Sequence, residues 1–248
     1  AAGNRIAKAV TKAGNTNTSV YVRDAQGNTL SVYEQNSTLN SGHFTQSELH
    51  LYGSSRLGIY NLNKDLTITP PPPVNLGSNQ SAIMSIFERN KRFFELSNHL
   101  GNVLATVSDK KIGHDAGNGT IDYYTADVIS AQDYYPFGMG MPGRTFNSSL
   151  YRYGFQKQEI DRELYGGAVS FKYRIEDPRI GRFLSVDPLM KKYPHNSPYA
   201  FAENKIGLGI ELEGAELLPL NSSMFNMSYS GENKAPCNVC LTPTNGSF

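Results

Sequence analysis

Acidic residues in the stretch from 181 to 216 have the types and the spacing that could support chemistry. Asp187 stands before a proline, and Glu211 opens a Glu-Leu-Glu-Gly turn about two dozen residues later. Two carboxyl groups held close together can hydrolyse a peptide bond, because each disfavours the charge of the other. One carboxylate then activates a water molecule, and the other, still protonated, donates to the carbonyl or to the leaving amine. Asp187 and Glu211 are therefore the candidate catalytic residues.

The same two acids also have an ordinary structural interpretation. Asp-Pro pairs are common turn residues, and an acidic residue before a glycine often holds a loop by accepting backbone N–H bonds. From the residues alone, a site that cuts a peptide and a pair of turn residues both remain open.

A nearby arginine could orient the first acid, because a guanidinium can bind a carboxylate through two parallel hydrogen bonds. The candidates in this part of the chain are Arg174, Arg179 and Arg182. Arg182 is the best of them, because Phe183 beside it is expected to face the core. A surface salt bridge, which contributes little to stability, is the interpretation for Arg179.

The composition of the 248 residues predicts a mostly β fold. Tyr (15), Phe (12) and Gly (23) are frequent, and such residues are typical of strands and turns. Length alone leaves one large all-β unit or two smaller domains open. Lys and Arg (23) balance Asp and Glu (22), so no net charge favours nucleic acid or an anionic membrane as a partner. No run of 18 apolar residues occurs, so no membrane span is predicted in this chain.

Repeated Gly-Asn turns punctuate the first half of the chain. They occur in residues 1–6, 25–30 and 99–104, and the first two are 24 residues apart, which is about one β-hairpin per period. Residues 92–111 place the third turn between two strand-like segments, so they are predicted to form a hairpin.

Residues 18–34 give the clearest hairpin pattern, TSVYVRDAQGNTLSVYE. Apolar and polar residues alternate on both sides of a Gly-Asn turn, which tolerates positive φ. In this hairpin Val20 and Val22 are expected to face one way and to match Leu30 and Val32 across the turn.

Less regular segments separate the predicted hairpins. Four consecutive prolines, Pro70–Pro73, cannot donate to a strand ladder and predict a loop near residues 68–80. Residues 81–96 fit either a helix or two strands. Residues 133–144 are rich in glycine, proline and aromatic residues and predict a loop.

No metal and no cofactor is predicted. Cys237 and Cys240 form a single CxxC, and a zinc site needs about four ligands, yet the nearest histidine is His195. A local disulfide or two inert thiols is the interpretation of this pair. Glycines within 138–143 match G-x-G-x-x-G, but prolines bracket them where a dinucleotide site needs a strand and a helix.

A specific string begins at Arg174 and ends at Pro188, with the pattern R-x-x-D-P-x-x-G-R-F-x-x-x-D-P. Upstream of it, in order, stand YVRDAQGNTLSVYE, NHLGNVLATVSD, ADVISAQDYYPFGMGMPGR and YRYGFQKQE. Together these segments resemble the YD-repeat and C-terminal core-domain pattern of Rhs-type proteins. The resemblance extends over roughly residues 1–216 and identifies the chain as a member of that family.

The resemblance implies a spiral of YD-repeat β-hairpins that is rolled into a hollow shell and capped by an Rhs core domain. Rhs polymorphic toxins and the shell components of Tc toxin complexes are built in this way. The chain would comprise a YD-repeat region at 1–145, a core domain at 146–216 and a variable tail at 217–248. A closed shell takes more repeats than these, so an upstream part of a longer chain or partner proteins are expected to complete the sheet.

The resemblance also implies a function. The chain is expected to be the C-terminal shell and core part of a secreted or surface protein that encapsulates or anchors a neighbouring segment or partner. A secreted or bacterial cell-surface location follows, with an export signal expected upstream or on a partner. Because some relatives are adhesins, a subunit of a cell-surface adhesion or secretion assembly is a further alternative. Tyr199, Phe201 and Asn204 are expected to close the end of the shell.

Self-cleavage is the remaining alternative that the resemblance implies, because many relatives cut their own chain just past a second aspartate motif. Asp187 corresponds to the first family aspartate, and Glu211 takes the place of the second. The extra methylene moves the carboxyl group by about 1 Å, and such a displacement can cost about 100-fold in rate. A cut is expected near Gly214, Ala215 and Glu216 and would release the tail. Whether the chain is an enzyme in this sense stays open.

Overall fold

The computed structural model describes residues 3–36, 38–69, 72–77, 80–82, 88–147 and 151–219. This part of the chain is mostly β, as predicted, and its only helical elements are 3₁₀ turns. Nine strands form one antiparallel sheet: β1 (Ala7–Lys12), β2 (Asn15–Arg23), β3 (Thr29–Gln35), β4 (Phe44–Tyr52), β5 (Arg56–Asp65), β8 (Arg92–Ser97), β9 (Val103–His114), β10 (Tyr123–Tyr134) and β11 (Gly140–Asn147). These strands lie side by side in the same order as along the chain.

Three smaller sheets complete the described fold. One contains β12 (Glu159–Asp161), β13 (Ala168–Ser170), β14 (Ile175–Asp177) and β15 (Arg182–Phe183), and the two others are the hairpins β6 (Val74–Gly77) with β7 (Gln80–Ala82) and β16 (Gly209–Leu212) with β17 (Glu216–Pro219). The β6–β7 hairpin thus begins inside the predicted proline-rich loop and ends two residues beyond it. β17 crosses the predicted start of the tail at residue 217, and β11 occupies part of the predicted loop at 133–144.

The same kind of side-chain contact closes the Gly-Asn turns at Gly27 and Gly101. Asn98 Oδ1 accepts two backbone N–H groups of its own turn at 3.0 Å, and Asp24 Oδ1 accepts the backbone N–H four residues on at 2.8 Å. Gly27 and Gly101 have φ values of +93° and +79°, which other residues rarely adopt. The hairpin predicted in residues 92–111 is confirmed as β8–β9.

The β2–β3 hairpin forms as predicted, but its register differs. Val32 lies opposite Tyr21, and both side chains are buried, whereas Val22 and Leu30 are exposed. The predicted match of Val20 and Val22 with Leu30 and Val32 is therefore wrong. A bulge beside the turn shifts the pairing by one residue, and such a shift moves every side chain to the other face of the sheet.

Two clusters of buried side chains form the core. The first joins the large sheet to the chain after β11 and contains Ile59, Phe93, Val103, Ile129, Tyr151 and Tyr153. The second lies among the small sheets and contains Phe155, Val169, Phe171, Phe183, Phe201 and Ala202. Full burial of one such large apolar side chain contributes about 1.5–3 kcal/mol. The second cluster therefore holds the four-stranded sheet against the loop that carries Phe201.

Partly buried charges hold the chain after β11 against the large sheet. Arg152 binds Glu34 at 2.6 Å and Glu48 at 2.8 Å, and the Tyr153 hydroxyl donates to Glu48 at 3.0 Å. Burial opposes ionisation of Glu48, but the charge of Arg152 and the contacts with His50 and Tyr153 outweigh it and lower the pKa of Glu48 to about 2. The pair is therefore ionised at neutral pH, and the two parts of the chain are held by charge as well as by packing.

A second set of charges joins the first strand to β12. Asp161 is 1% exposed and accepts hydrogen bonds from Arg5 at 2.8 Å, from Lys8 at 2.6 Å and from Ser170 at 2.5 Å. These contacts tie the β1 edge of the large sheet to the four-stranded sheet. Within the described residues, the large sheet remains open at β1 and at β11, each of which pairs with one strand.

Candidate functional site

The predicted acid Asp187 lies just beyond the β14–β15 hairpin. That hairpin turns at Asp177, which accepts the backbone N–H of Arg179 at 3.1 Å. The half-exposed side chain of Arg179 also forms an ion pair with Asp177 at 2.6 Å. Gly181 ends the turn with φ +62°, where an added Cβ would lie 2.7 Å from an aromatic ring. Asp187 Oδ1 then accepts the backbone N–H two residues on at 2.7 Å. The turn role expected of this aspartate is thus present, and its Oδ2 remains for another partner.

Arg174 brings the predicted residues together. Its side chain is 2% exposed, and its Nη2 lies 3.0 Å from Asp187 Oδ2 and 3.7 Å from Glu211 Oε1. Its Nε donates to the carbonyl oxygen of Gly214, and its Nη1 donates to the carbonyl oxygen of Pro198 at 3.2 Å. One guanidinium therefore contacts both candidate acids and the first residue of the predicted cleavage region.

Glu211 is a buried acid on β16. Its Oε2 accepts the backbone N–H of Ala202 at 2.7 Å, and its own backbone N–H donates to Gln156 Oε1 at 3.2 Å. Burial raises the pKa of Glu211 to about 7; the Ala202 N–H and Arg174 oppose this rise, and the charge of Asp187 adds to it. Near neutral pH this carboxyl group is therefore about half protonated.

The arginine predicted to orient Asp187 does not do so. Arg182 is exposed on β15, and Arg174 makes the contact instead. Phe183 is 2% exposed, as expected. Because successive side chains of a strand point to opposite faces, the burial of Phe183 turns its neighbour Arg182 toward solvent. The expected burial of Phe183 was thus itself a signal against Arg182.

The structure adds Glu176, which the sequence patterns did not single out. Glu176 lies on β14 with no exposed surface, and neither of its carboxyl oxygens has a hydrogen-bond partner. Burial, followed by the charges of Glu211 and Asp177, raises the pKa of Glu176 to about 9. A signal for it exists in the sequence, because a spacing of two residues places Arg174 and Glu176 on the same face of an extended segment.

The predicted cleavage region is the turn of the β16–β17 hairpin. Gly214 has φ +79°, and an added Cβ would lie 2.8 Å from Phe171 Cβ, so the turn requires glycine at this position. Ala215 is buried, and Glu216 accepts a hydrogen bond from the Tyr193 hydroxyl at 3.0 Å. The turn is thus held against the core, with the Gly214 carbonyl directed at the arginine of the site.

A polar cavity of about 760 Å³ lies between the large sheet and this site. Glu211 and Glu213 line it from the β16–β17 hairpin, and Arg56 and Tyr153 line it from the other side. Glu211 Oε1 itself is buried without a hydrogen-bond partner, 3.7 Å from Arg174 Nη2.

Neither a metal centre nor a membrane-spanning helix is found in the part of the chain that the structure describes. No group of three or more His, Cys, Asp or Glu side chains is arranged to hold a metal ion there. Nor does that part contain a helix of sufficient length and hydropathy to cross a membrane. Cys237 and Cys240 lie outside the described residues.

No protein-family model matches the chain. Salivary gland surface protein 1 of Aedes aegypti is 28% identical over 216 residues, which is 86% of this chain but 5% of that protein. Among solved structures, the TcdB2–TccC3 complex is 16% identical over 83% of this chain and 9% of its own, with a TM-score of 0.44. The Photorhabdus luminescens Tc holotoxin pore is 14% identical over 84% of this chain and 13% of its own, with a TM-score of 0.33. The chain therefore spans a small part of each protein that it is similar to.

Proposed function

We propose that this chain is the C-terminal shell and core part of a secreted or cell-surface Rhs-type protein, where it encapsulates or anchors a neighbouring segment or partner. The nine-stranded antiparallel sheet, open at β1 and β11 within the described residues, carries this proposal. Open edges offer unpaired N–H and C=O groups to further strands. These strands come from an upstream part of a longer chain or from a partner protein.

Two observations support the anchoring role and the location. The ion pairs of Arg152 and Asp161 fix the chain after β11 to the large sheet. This part of the chain therefore provides a fixed base for anchoring a neighbouring segment. The name of the mosquito relative describes a surface protein. A surface location would also suit a subunit of a cell-surface adhesion or secretion assembly.

Hydrogen–deuterium exchange tests whether the sheet edges are used. In the protein as it is assembled in its native source, the amides of β1 and β11 are expected to exchange at least about 10-fold more slowly than in the isolated chain, because paired edge amides are protected. The central strands β4 and β5 should be protected equally in both samples and serve as the internal control. Equal exchange of β1 and β11 in the two samples would refute edge pairing.

A second candidate function is self-cleavage at the β16–β17 turn. The observation that favours it is the contact of Arg174 with Asp187, with Glu211 and with the carbonyl oxygen of Gly214. Acid–base hydrolysis of a peptide bond needs a base, an acid and a group that polarises the carbonyl. These three contacts supply candidates for each role around one bond.

In the proposed reaction, Asp187 removes a proton from a water molecule whose oxygen attacks the carbonyl carbon of Gly214. Arg174 stabilises the negative charge that develops on the carbonyl oxygen. Glu211, which is partly protonated near neutral pH, donates its proton to the nitrogen of Ala215 as the C–N bond breaks. The products are a carboxyl group on Gly214 and a free amine on the segment 215–248.

Intact mass under denaturing conditions tests this reaction. The wild-type chain, incubated near neutral pH, is expected to lose the mass of residues 215–248. Asp187→Asn and Glu211→Gln are expected to slow the cut about 100-fold or more, because general acid–base catalysis contributes about 10²–10⁴-fold.

The matched control is Glu213→Gln, which changes an acid of the same turn whose side chain is 42% exposed. It should be cut at the wild-type rate. A wild-type chain that stays whole, or an Asp187→Asn chain that is cut as fast as wild type, would exclude self-cleavage and would leave the shell proposal in place.

A further inference from the structure

Two carboxyl groups contact the guanidinium of Arg174, and a third, that of Glu176, is buried on the adjacent strand β14. Arg174 pairs with Asp187 and reaches Glu211, and its remaining contacts are carbonyl oxygens. Glu176 is the third carboxyl group, and it has no ion pair with this arginine or with another cation in the part of the chain described. The charge of the cluster is therefore balanced only while some of these acids keep their protons.

Glu176 is the acid with the strongest reason to keep its proton. It pairs across the small sheet with Val169 of β13 and with Phe183 of β15, and both of these side chains belong to the second core cluster. Both of its carboxyl oxygens are buried without a partner, as is Oε1 of Glu211. An ionised carboxylate in such surroundings is strongly disfavoured, and burial with the charges of Glu211 and Asp177 raises the pKa of Glu176 to about 9.

The charged groups around Glu176 come from few elements. Its own segment contributes Arg174 and Asp177, and Asp177 is already paired with Arg179 at 2.6 Å. β16 contributes Glu211. β13 presents Val169, and β15 presents Phe183 while its arginine is exposed.

We propose that Glu176 is a positioning residue that couples opening of the β16–β17 hairpin to pH. Its neutral carboxyl group lets the β16–β17 hairpin stay closed, with Leu217 packed on the core cluster of Val169 and Phe183 and with Asp187, Glu211 and Gly214 gathered on Arg174. When the hairpin opens, Glu176 meets water and releases its proton. This coupling regulates the arrangement itself, and it holds whether or not the chain cuts its own peptide bond.

The sign of the effect follows from proton counting. The folded-state pKa of Glu176, about 9, lies above the value of 4.5 for a solvated glutamate, so the closed state holds a proton that the open state has lost between these pH values. Closure therefore becomes weaker as pH rises. Glu211 contributes in the same direction only up to about pH 7, so within this cluster Glu176 alone contributes between about pH 7 and 9. Loss of one proton on opening corresponds to a tenfold rise in the opening constant per pH unit.

Native-state hydrogen exchange, corrected for the intrinsic exchange rate, measures that constant. In the wild-type chain, protection of the β16–β17 amides is expected to fall about tenfold per pH unit between about pH 7 and 9. In Glu176→Gln, whose side chain stays neutral, protection should be independent of pH over the same window. Glu176→Met replaces it if the glutamine variant does not fold, and Glu213→Gln, the exposed acid of the same hairpin, should keep the wild-type slope.

A purely structural Glu176 would change the level of protection but not its dependence on pH. A wild-type chain without the slope, or a neutral variant at position 176 that retains it, would overturn the proposal. Exchange is also measured on Asp187→Asn, which is expected to be cut at least about 100-fold more slowly than the wild type. The pH dependence of exchange can therefore be judged separately from cleavage.

Discussion

Replacing Arg174 with glutamine is expected to lower the free energy of unfolding by about 3–5 kcal/mol, because it leaves the buried acid Glu211 and the partly buried acid Asp187 without their cation. Asp187 and Glu211 would lose their shared partner, and the carbonyl oxygens of Gly214 and Pro198 would lose donors. Chemical denaturation at neutral pH, analysed as a two-state transition, measures the loss.

Arg182→Gln is the matched control for this prediction. It removes the same side chain from the same motif at an exposed position, and a change within about 0.5 kcal/mol is expected. Equal losses in Arg174→Gln and Arg182→Gln would mean that the buried contacts of Arg174 do not carry the stability assigned to them.

Truncation of Phe201 to alanine is expected to cost about 3–5 kcal/mol, the usual range for a large aromatic side chain in a core. Phe201 has no exposed surface. Its ring lies 5.5–6.3 Å, between centroids, from the rings of four other residues, namely Phe137, Phe155, Phe171 and Phe183. The same change should also weaken the hydrogen bond that Glu211 accepts from the backbone N–H of the next residue, Ala202.

Tyr199→Ala provides the comparison for Phe201→Ala. Tyr199 is 40% exposed, so its truncation is expected to cost less than about 1 kcal/mol. Denaturation curves give both values, and the chemical shift of the Ala202 amide reports whether its hydrogen bond to Glu211 persists. A Phe201→Ala chain as stable as Tyr199→Ala would contradict the central role of this ring.

The hairpins could be predicted from the sequence because their causes are local. An Asn or Asp three residues before a glycine accepts the backbone N–H bonds of the turn, and the glycine adopts the positive φ. The turns at Gly27 and Gly101 therefore depend only on residues close together in the sequence. The register of β2–β3 was predicted wrongly because a one-residue bulge does not change the alternation of apolar and polar residues in the sequence. Element type depended on nearby residues, and alignment of the strands depended on packing.

The candidate site, too, was predicted from the sequence only in part. Asp187 and Glu211 were candidates because a family pattern pairs positions that lie far apart in the sequence, and the structure brings both to one arginine. Choosing between Arg174 and Arg182 required knowing which face of each strand is buried. Glu176 was missed because a glutamate beside Asp177 is expected to be solvent-exposed, whereas pairing with Val169 of β13 and Phe183 of β15 buries it.

The location of the predicted cut inside a hairpin separates covalent continuity from physical attachment. β16 and β17 are joined at this turn and are paired along four residues each, and Leu217 of β17 packs against the second core cluster. A chain severed after Gly214 would therefore keep its downstream piece seated as a strand of the same sheet. Release of that piece would be a second event, governed by strand separation, so native mass would record one particle where denaturing mass records two.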